Sequence, residues 1–455
     1  MLQVAVLIYL GITLLIGYFA SRRVKTGEDF AVAGGNLTFF MSTAAFFATW
    51  FGVESILGAP TEFVENGIVG IIEEPIGAAL CLFLVGLFFA KYIRKSGHLT
   101  FSDMFRERYG KRIEFVSALI MIPSFFTWVS AQLLAMGMLL NQLFELPLLL
   151  AILFSGIIVS AYTILGGMWA VSWTDTVQMI VIVVGLLLLF FSLYSSDTIN
   201  AAVQSASPNF FDWYDQKKMS NLEWIAAWIN VGLGSIVSQD VFQRVVASKN
   251  ARVAVSSSIF AGVLYLTIGM VPLMIAFVGK YMYPELYASA SSSFILILIQ
   301  QKAGIWLQIL FFGALLSAIL STASGALLAP ATVFAENIIK PRYPNVNLLK
   351  ALRWSIVLMT VMALMFAFFN QRIIDLVSLS SSFGLVSLFL PFCFMMGGNF
   401  MNAGGALWGM LLGLVGWLIF LVWTPFIPAI FGGLMFSFVG IIVGTLTTQK
   451  NQNND

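Results

Sequence analysis

Apolar residues run along this chain in long blocks that short polar segments separate. A block of about 20 residues is long enough to cross the roughly 30 Å of hydrocarbon in a bilayer. Thirteen such blocks predict an all-α polytopic membrane protein with about 13 transmembrane helices. They cover residues 2–20, 38–60, 66–91, 113–143, 147–166, 168–194, 222–246, 251–279, 302–338, 351–370, 373–397, 403–424 and 426–447.

The basic residues are concentrated on one side of these spans, which predicts the orientation. Cytoplasmic segments of membrane proteins carry an excess of Lys and Arg. Arg22, Arg23 and Lys25 follow the first span, so we expect the N-terminus outside. Most of the 23 basic residues, Arg244 among them, fall in connectors on that same inner side. An odd number of spans then leaves the C-terminus in the cytoplasm, and we expect residence in the cell (inner) membrane.

The amino-acid composition also predicts a membrane protein, and it gives no support to several classes of enzyme. The chain is 60% hydrophobic and only 10% charged, with a mean hydropathy of +0.94, whereas soluble domains carry about 25% charged residues. Cys81 and Cys393 lie in apolar runs, so we do not expect a disulfide framework. A single His and the lack of a nucleophile–base set give no support to a metalloenzyme or a hydrolase. We therefore do not expect this protein to be an enzyme.

Two spans contain polar interruptions at corresponding positions. Residues 48–55 place Gly52 and Glu54 in the second span, and residues 232–240 place Ser238 and Asp240 in the seventh. Each interruption opens a block of five spans. Paired broken helices are typical of inverted repeats that bind ligand near the bilayer midplane. Gly kinks tolerated in a packed bundle are the alternative.

The spans and the paired interruptions predict a single membrane domain over residues 1–455, with five parts. They are the first span and inside loop (1–37), repeat one (38–194), repeat two (222–397), two C-terminal spans (403–447) and a disordered tail (448–455). The connector between the repeats contains Pro208 and a polar mixture of residues. It predicts a cap or a short interfacial helix.

An acid in the sixth apolar run is the strongest local signal. Asp175 follows the Gly166-Gly167 pair, which predicts a sharp turn just before it. A charge at membrane depth costs roughly 2.5–3.5 kcal/mol on insertion scales, so it predicts a functional site. The alternative is that Asp175 lies at the water interface, where an acid is inexpensive.

The stretch Gly166-Gly-Met-Trp-Ala-Val-Ser-Trp-Thr-Asp-Thr-Val-Gln178 resembles the signature of the sodium/solute symporter family, in the form found in sodium/proline carriers. The likeness extends from Phe30-Ala-Val-Ala-Gly-Gly35 to Phe334-Ala-Glu-Asn-Ile338. It implies a five-plus-five inverted-repeat core of the leucine-transporter type, with one extra N-terminal and two extra C-terminal helices. It also implies sodium-coupled import of a small organic solute by alternating access, with Na⁺ as coupling ion and no organic cofactor.

The resemblance also implies a sodium site between the second and ninth spans. Adjacent hydroxyls in the ninth span suit a hard cation that prefers oxygen ligands. Back-bonding of these hydroxyls to their own helix is the alternative. The implied ligands are the carbonyls of Ala48, Phe51 and Ala318 and the hydroxyls of Ser321 and Thr322.

A second sodium ion, found in some members of the family, is less well supported. Asp175 and Ser324 match two of its ligands, but Gly325 stands where a further hydroxyl is required. We therefore expect one sodium ion per cycle, with Asp175 in ion coupling.

The substrate class is suggested by a likeness to the high-affinity choline branch. Ala48-Thr-Trp50, Pro75-Ile-Gly77, Tyr109-Gly-Lys-Arg112 and Phe242-Gln-Arg244 carry that likeness. It implies aromatic faces around a quaternary ammonium group. Candidate substrate residues are Trp50, Glu54, Ser55, Glu73, Glu74, Trp128, Ser238, Gln239, Asp240 and Phe383.

The acids in this set favour a cationic or amine-bearing solute, because we expect no Lys or Arg in the core near the breaks. A sugar, amino-acid or monocarboxylate symporter, a sodium-independent facilitator and a transporter-like sensor are the alternatives. The expected partners are the solute, sodium and the lipid bilayer, without nucleic acid, in a monomer or weak oligomer.

Overall fold

The computed structural model describes residues 1–289, 293–369, 373–398, 400–423 and 426–452. These residues form 22 α-helices joined by short π and 3-10 turns, and their only β contact is an isolated bridge between Leu37 and Ser248. The helices are α1 Leu2–Ser21, α2 Gly27–Val32, α3 Phe39–Trp50, α4 Ala59–Asn66, α5 Ala78–Leu84, α6 Ala90–Ser96, α7 Phe101–Tyr109, α8 Lys111–Phe144, α9 Leu148–Leu193, α10 Ser196–Ser205, α11 Asn221–Gly234, α12 Gln239–Ala247, α13 Ala251–Met282, α14 Pro284–Ser289, α15 Phe294–Lys302, α16 Ile305–Val333, α17 Lys340–Arg342, α18 Leu348–Phe369, α19 Ile373–Gly384, α20 Leu390–Met396, α21 Ala403–Trp423 and α22 Ala429–Gln452.

In the described part of the chain, ten helical stretches are long and apolar enough to span a membrane, or eleven if α11 and α12 count as one bent span. The predicted thirteen spans are reached only if the bent pair counts as one span and two of the other stretches are each divided into two spans. One is α9, whose 46 residues would extend about 69 Å, more than twice the hydrocarbon thickness. Gly167 interrupts it with φ 51° and ψ −143°. The other is Glu54–Ser96, which turns at Gly67. The count of thirteen stays a prediction.

Both predicted interruptions are confirmed. Helix α3 ends at Trp50, Phe51 leaves the helical region with ψ 70°, and a π turn begins at Glu54. Helices α11 and α12 meet at Ser238 with a bend of 54°. Gly52 suits the first break, because a Cβ there would lie 2.6 Å from a carboxylate oxygen of Glu54.

Helix α16 lies at the centre of the bundle. Every residue from Ala314 to Val333 is buried, and the helix packs against α8, α9 and α3. A helix that is buried all round suits an interior position. On the outside of the bundle, α1 presents large apolar side chains to the lipid, and α21 and α22 pack chiefly against each other.

The connector between the repeats, where the sequence predicts a cap or a short interfacial helix, packs against α4 and α13. It contains α10, and its Phe210 carbonyl accepts a hydrogen bond from the Ile68 N–H at 3.0 Å. The Phe210 ring packs against Phe63 and Phe277. At the other end of the chain, α22 continues through residue 452, so the described part of the predicted tail is helical because an established helix propagates readily. Residues 453–455 lie outside the described residues.

Candidate functional site

The break in α3 frees a backbone carbonyl for contact with α16. In an uninterrupted helix the Ala48 carbonyl would accept the N–H of Gly52. That N–H instead donates to the Trp50 carbonyl at 2.8 Å. The Ala48 carbonyl accepts the hydroxyls of Ser321 and Thr322, at 3.0 and 3.1 Å. Three of the five predicted sodium ligands are therefore in direct contact.

Asp175 belongs to the same cluster. Its Oδ1 accepts the Ser321 hydroxyl at 2.5 Å, and its Oδ2 has no hydrogen-bond partner among the described residues. The side chain is completely buried. The interfacial position left open by the sequence is therefore wrong: the turn at Gly167 directs the following helix inward, and Asp175 lies against α16.

The other two predicted sodium ligands are close in sequence to this contact. Phe51 is buried at the break, and Ala318 is buried on α16 one turn before Thr322. The five predicted ligands are carbonyls and hydroxyls, an all-oxygen set that fits a hard cation such as sodium. The Asp175 carboxylate lies against Ser321, beside this set.

The positions considered for a second sodium ion, Ser324 and Gly325, have other neighbours. The Ser324 hydroxyl donates back to the Ser321 carbonyl at 2.9 Å. Gly325 faces the side chain of Arg244, whose Nη2 would lie 2.3 Å from a Cβ at this position. In the described structure a guanidinium therefore occupies the space beside Gly325.

A cavity lies between α3, α8, α11 and α19. Trp50, Glu54, Glu74, Trp128 and Ser238 contribute to its wall. It shares Glu54 and Glu74 with a wider vestibule, which also contacts Glu73 and Lys218. Five of the predicted substrate residues thus line one chamber.

Hydrogen bonds hold the two carboxylates in the cavity wall. Glu54 accepts the indole N–H of Trp128 at 3.2 Å and the amide of Gln132 at 2.7 Å. Glu74 accepts the hydroxyls of Ser55 and Tyr265, at 2.7 and 2.5 Å, both on Oε1. The geometry leaves Glu74 Oε2 as the carboxylate oxygen best placed to meet a ligand.

Asp240 lies behind the wall rather than in it. It is fully buried and accepts the Trp50 indole N–H at 2.9 Å and the Ser238 hydroxyl. Both of its oxygens therefore have donors. Asp240 therefore orients Trp50, and the predicted direct contact of Asp240 with the substrate is not supported.

Three further candidates lie away from this cavity. Glu73 accepts the Asn230 amide at 3.2 Å at the wider vestibule. Gln239 bonds the backbone of Leu99 and Phe101 instead of lining the cavity. Phe383 packs against Trp417, with ring centroids 5.3 Å apart. Gln239 and Phe383 have structural partners, and we leave them out of the proposed substrate set.

Arg244 is a buried charged residue that the sequence analysis did not place in the core. The sequence predicts an inside connector for it and no Arg near the breaks. That expectation is wrong, because Arg244 is completely buried beside Asp240 and Gly325. Its position within the predicted span 222–246 was the signal, since a basic residue in a span is costly and points to function.

Comparison with known proteins identifies the family of this chain. A model of the sodium:solute symporter family matches residues 30–413. The chain is 27% identical to high-affinity choline transporter 1 of Caenorhabditis elegans, over 90% of this chain and 76% of that one. It is 28% identical to an uncharacterised symporter, YwcA, of Bacillus subtilis (strain 168), covering 93% and 87%. It is 26% identical to the sodium/pantothenate symporter of Haemophilus influenzae, covering 98% and 97%.

Solved structures share the fold. A sodium-coupled sialic acid symporter in a substrate-bound outward-open state superposes with a TM-score of 0.85 at 19% identity, covering 98% of both chains. MhsT in complex with L-phenylalanine gives a TM-score of 0.60 at 14% identity, covering 90% of this chain and 97% of that one. The matched family model spans most of the sequence. The chain therefore belongs to the sodium:solute symporter family, as a sodium-coupled membrane carrier rather than an enzyme.

Proposed function

We propose that this protein imports a small organic solute that carries a positive charge or a protonated amine, together with sodium, by alternating access. The observation that carries the proposal is the wall of the cavity between α3, α8, α11 and α19. It presents the indoles of Trp50 and Trp128 and the carboxylates of Glu54 and Glu74. No Lys or Arg is among its described lining residues.

This wall favours a positive charge for two physical reasons. An unpaired organic cation is costly to bury, and carboxylates at close range offset that cost. Indole faces add a cation–π attraction of about 0.5–2 kcal/mol each. An anionic solute would meet two buried carboxylates without a basic partner. We therefore place the ammonium group against Glu74, between the two tryptophans.

The names of the relatives do not decide the substrate. Choline is a cation, whereas the pantothenate and sialic acid carriers are named for carboxylates. The two acids in the cavity wall favour a cationic substrate over a carboxylate for this chain. A sugar or polyol is the second candidate, because Glu54 and Glu74 could accept hydrogen bonds from hydroxyl groups.

We place the coupling sodium on the contact between α3 and α16. Its proposed ligands are the carbonyls of Ala48, Phe51 and Ala318 and the hydroxyls of Ser321 and Thr322. The freed Ala48 carbonyl and its two hydroxyl neighbours support this placement. Asp175 is proposed to guide the ion to and from the inner side, since it is bonded to Ser321.

The membrane arrangement follows from the basic residues. We propose that the carrier lies in the cell (inner) membrane with its N-terminus outside and its C-terminus in the cytoplasm. The wider vestibule, which contacts Lys218 in a connector assigned to the outer side, would then be the external access to the cavity. A monomer or a weak oligomer is sufficient, because the described cavity is formed within one chain.

The substrate proposal is tested by uptake into proteoliposomes. Choline, a betaine-like zwitterion, galactose and a monocarboxylate compete for transport under an inward sodium gradient. We expect choline to compete best, and Glu74→Gln to weaken its competition about tenfold or more while sodium dependence stays normal. Glu65→Gln, an exposed acid outside the cavity wall, is the matched control. Tight sodium-coupled uptake of the monocarboxylate would refute the cation proposal, and uptake that persists without sodium would favour a facilitator.

A further inference from the structure

Tyr265 is a tyrosine of α13 that is completely buried beside the break in α3. Its hydroxyl lies 2.7 Å from the Trp50 carbonyl and 2.5 Å from Glu74 Oε1. One hydroxyl therefore contacts both the last residue of α3 and a carboxylate in the wall of the cavity. Tyr265 itself is outside the described lining of that cavity, so any effect on a solute passes through the groups that it holds.

Ser55 joins the same hydrogen-bond network from the other side of the break. Its hydroxyl lies 2.8 Å from the Tyr265 hydroxyl and 2.7 Å from Glu74 Oε1. Both hydroxyls meet the same carboxylate oxygen, so Oε2 is the oxygen available to a solute. Connected hydrogen bonds in a buried site hold their members in one arrangement. The orientation of Glu74 is therefore set by Ser55 and Tyr265 together.

The ring of Tyr265 is held by α3 and by the break itself. It packs edge-on against Phe47, with ring centroids 5.9 Å apart, and against Phe51, at 5.5 Å. The Phe47 and Phe51 rings stack on each other at 4.7 Å. Edge-to-face contacts between aromatic rings have a preferred geometry. The Tyr265 hydroxyl is thus aimed by the segment that carries Phe51, a proposed sodium ligand.

The Trp50 carbonyl is the point where this network meets the break. It accepts the Gly52 N–H at 2.8 Å, in a turn tighter than that of an α-helix, and the Tyr265 hydroxyl reaches the same oxygen. Because a peptide unit is planar, a contact on the Trp50 carbonyl also restrains the amide of Phe51. The position of Glu74 and the conformation of the break are therefore linked through one hydroxyl.

We propose that Tyr265 is a positioning residue whose hydroxyl links Glu74 to the break in α3, so that solute and sodium each strengthen the binding of the other. A ligand that holds one end of this network in place spares the other ligand part of the cost of ordering it, and such coupling is reciprocal. The proposal rests on the proposed function, which places the solute at Glu74 and the sodium ion at the break. It adds the residue that connects the two sites.

The test measures the coupling between the two ligands in the purified full-length protein. Choline and galactose are the solute probes, and their affinities are measured at low and at saturating sodium, with potassium keeping the ionic strength constant. The ratio of the two affinities is the coupling factor. Tyr265→Phe keeps the ring and removes only the hydroxyl. We expect it to lower solute affinity at saturating sodium about tenfold, as for a lost hydrogen bond to a charged group, and to reduce the coupling factor about fivefold.

Two further variants separate positioning from a general loss of structure. In a Glu74→Gln background, Tyr265→Phe should lower solute affinity by no more than about threefold, because the charge that it positions is gone. Tyr194→Phe is the matched control. Tyr194 is also buried, and its hydroxyl donates to the Ile275 carbonyl of α13 at 2.9 Å, outside the described cavity lining. This variant should keep the wild-type coupling factor.

A Tyr265→Phe protein with the wild-type coupling factor would overturn the proposal, and so would losses that simply add in the double variant. If the wild-type protein binds galactose and not choline, the amine hypothesis fails, while the same cycle with galactose still decides the role of Tyr265. If neither probe binds, sodium-induced thermal stabilisation decides it. Tyr265→Phe must then require more sodium than Tyr194→Phe, and an equal requirement refutes the link to the break.

Discussion

Loss of a single hydroxyl from α16 should weaken sodium coupling without disturbing the fold. Thr322→Val keeps the shape of the side chain and removes its Oγ1, which lies 3.1 Å from the Ala48 carbonyl. Ser321→Ala removes an oxygen that contacts both Ala48, at 3.0 Å, and Asp175, at 2.5 Å. The serine variant should therefore have the larger effect, because it also leaves the Asp175 carboxylate without its bonded neighbour.

The size of the effect follows from the number of ligands. Each variant takes one oxygen from a proposed set of five. By analogy with an unmade hydrogen bond to a charge, one lost ligand costs about 1–3 kcal/mol, which is roughly 5- to 150-fold in sodium affinity. We expect Thr322→Val near the lower end of this range and Ser321→Ala near the upper end.

The assay is the sodium dependence of uptake, together with sodium-induced thermal stabilisation of the purified protein. Ser317→Ala is the control on the same helix, since its hydroxyl bonds the Gly313 carbonyl and Tyr9 instead. It should stay within about twofold of wild type, as expected for a site outside the ligand set. If both test variants keep the wild-type sodium dependence, the sodium site is misplaced.

Two further predictions concern the helix that carries Asp175. Asp175→Asn should raise the sodium requirement or slow turnover while changing substrate affinity at saturating sodium much less; loss of substrate affinity with normal sodium dependence would contradict its role in ion coupling. Gly167→Ala should destabilise the protein by about 1–3 kcal/mol, seen as a lower melting temperature, because φ is +51° and a Cβ would lie 2.4 Å from the Phe30 carbonyl; an unchanged melting temperature would show that the turn is not required.

The helix breaks and the contact between α3 and α16 could be predicted from the sequence. Gly52 and the polar residues after Trp50 are local signals that a helix ends, so the first break needs no tertiary information. The family resemblance then paired Ala48 with Ser321 and Thr322, and the structure confirms that these residues touch. Whether sodium binds between them stays a prediction.

The surroundings of the acids could not be predicted in the same way. Each carboxylate owes its position to donors far away in the chain: Gln132 for Glu54, and Tyr265 for Glu74. Sequence periodicity places residues on a face of their own helix but does not say which helix they meet. The cavity wall therefore required the tertiary structure.

Arg244 shows the limit of charge counting. The excess of basic residues in cytoplasmic loops is a statistical rule about residue type. A basic residue at the inner end of a span can lie in water or pack against the core. Arg244 packs against the core, where Gly325, about eighty residues further along the chain, leaves space for its guanidinium.

Solute-induced thermal stabilisation of the purified carrier tests the central claim most directly. Panels of amines, amino acids, sugars and carboxylates are compared in sodium and in potassium buffers of equal ionic strength. We predict that an amine gives the largest rise in melting temperature, and that it does so only in sodium. The reason is that Ala48, a proposed sodium ligand, and Trp50, in the wall of the substrate cavity, both lie on the broken helix α3. The largest rise from a plain carboxylate, or a rise equal in both buffers, would contradict a sodium-coupled carrier of organic cations.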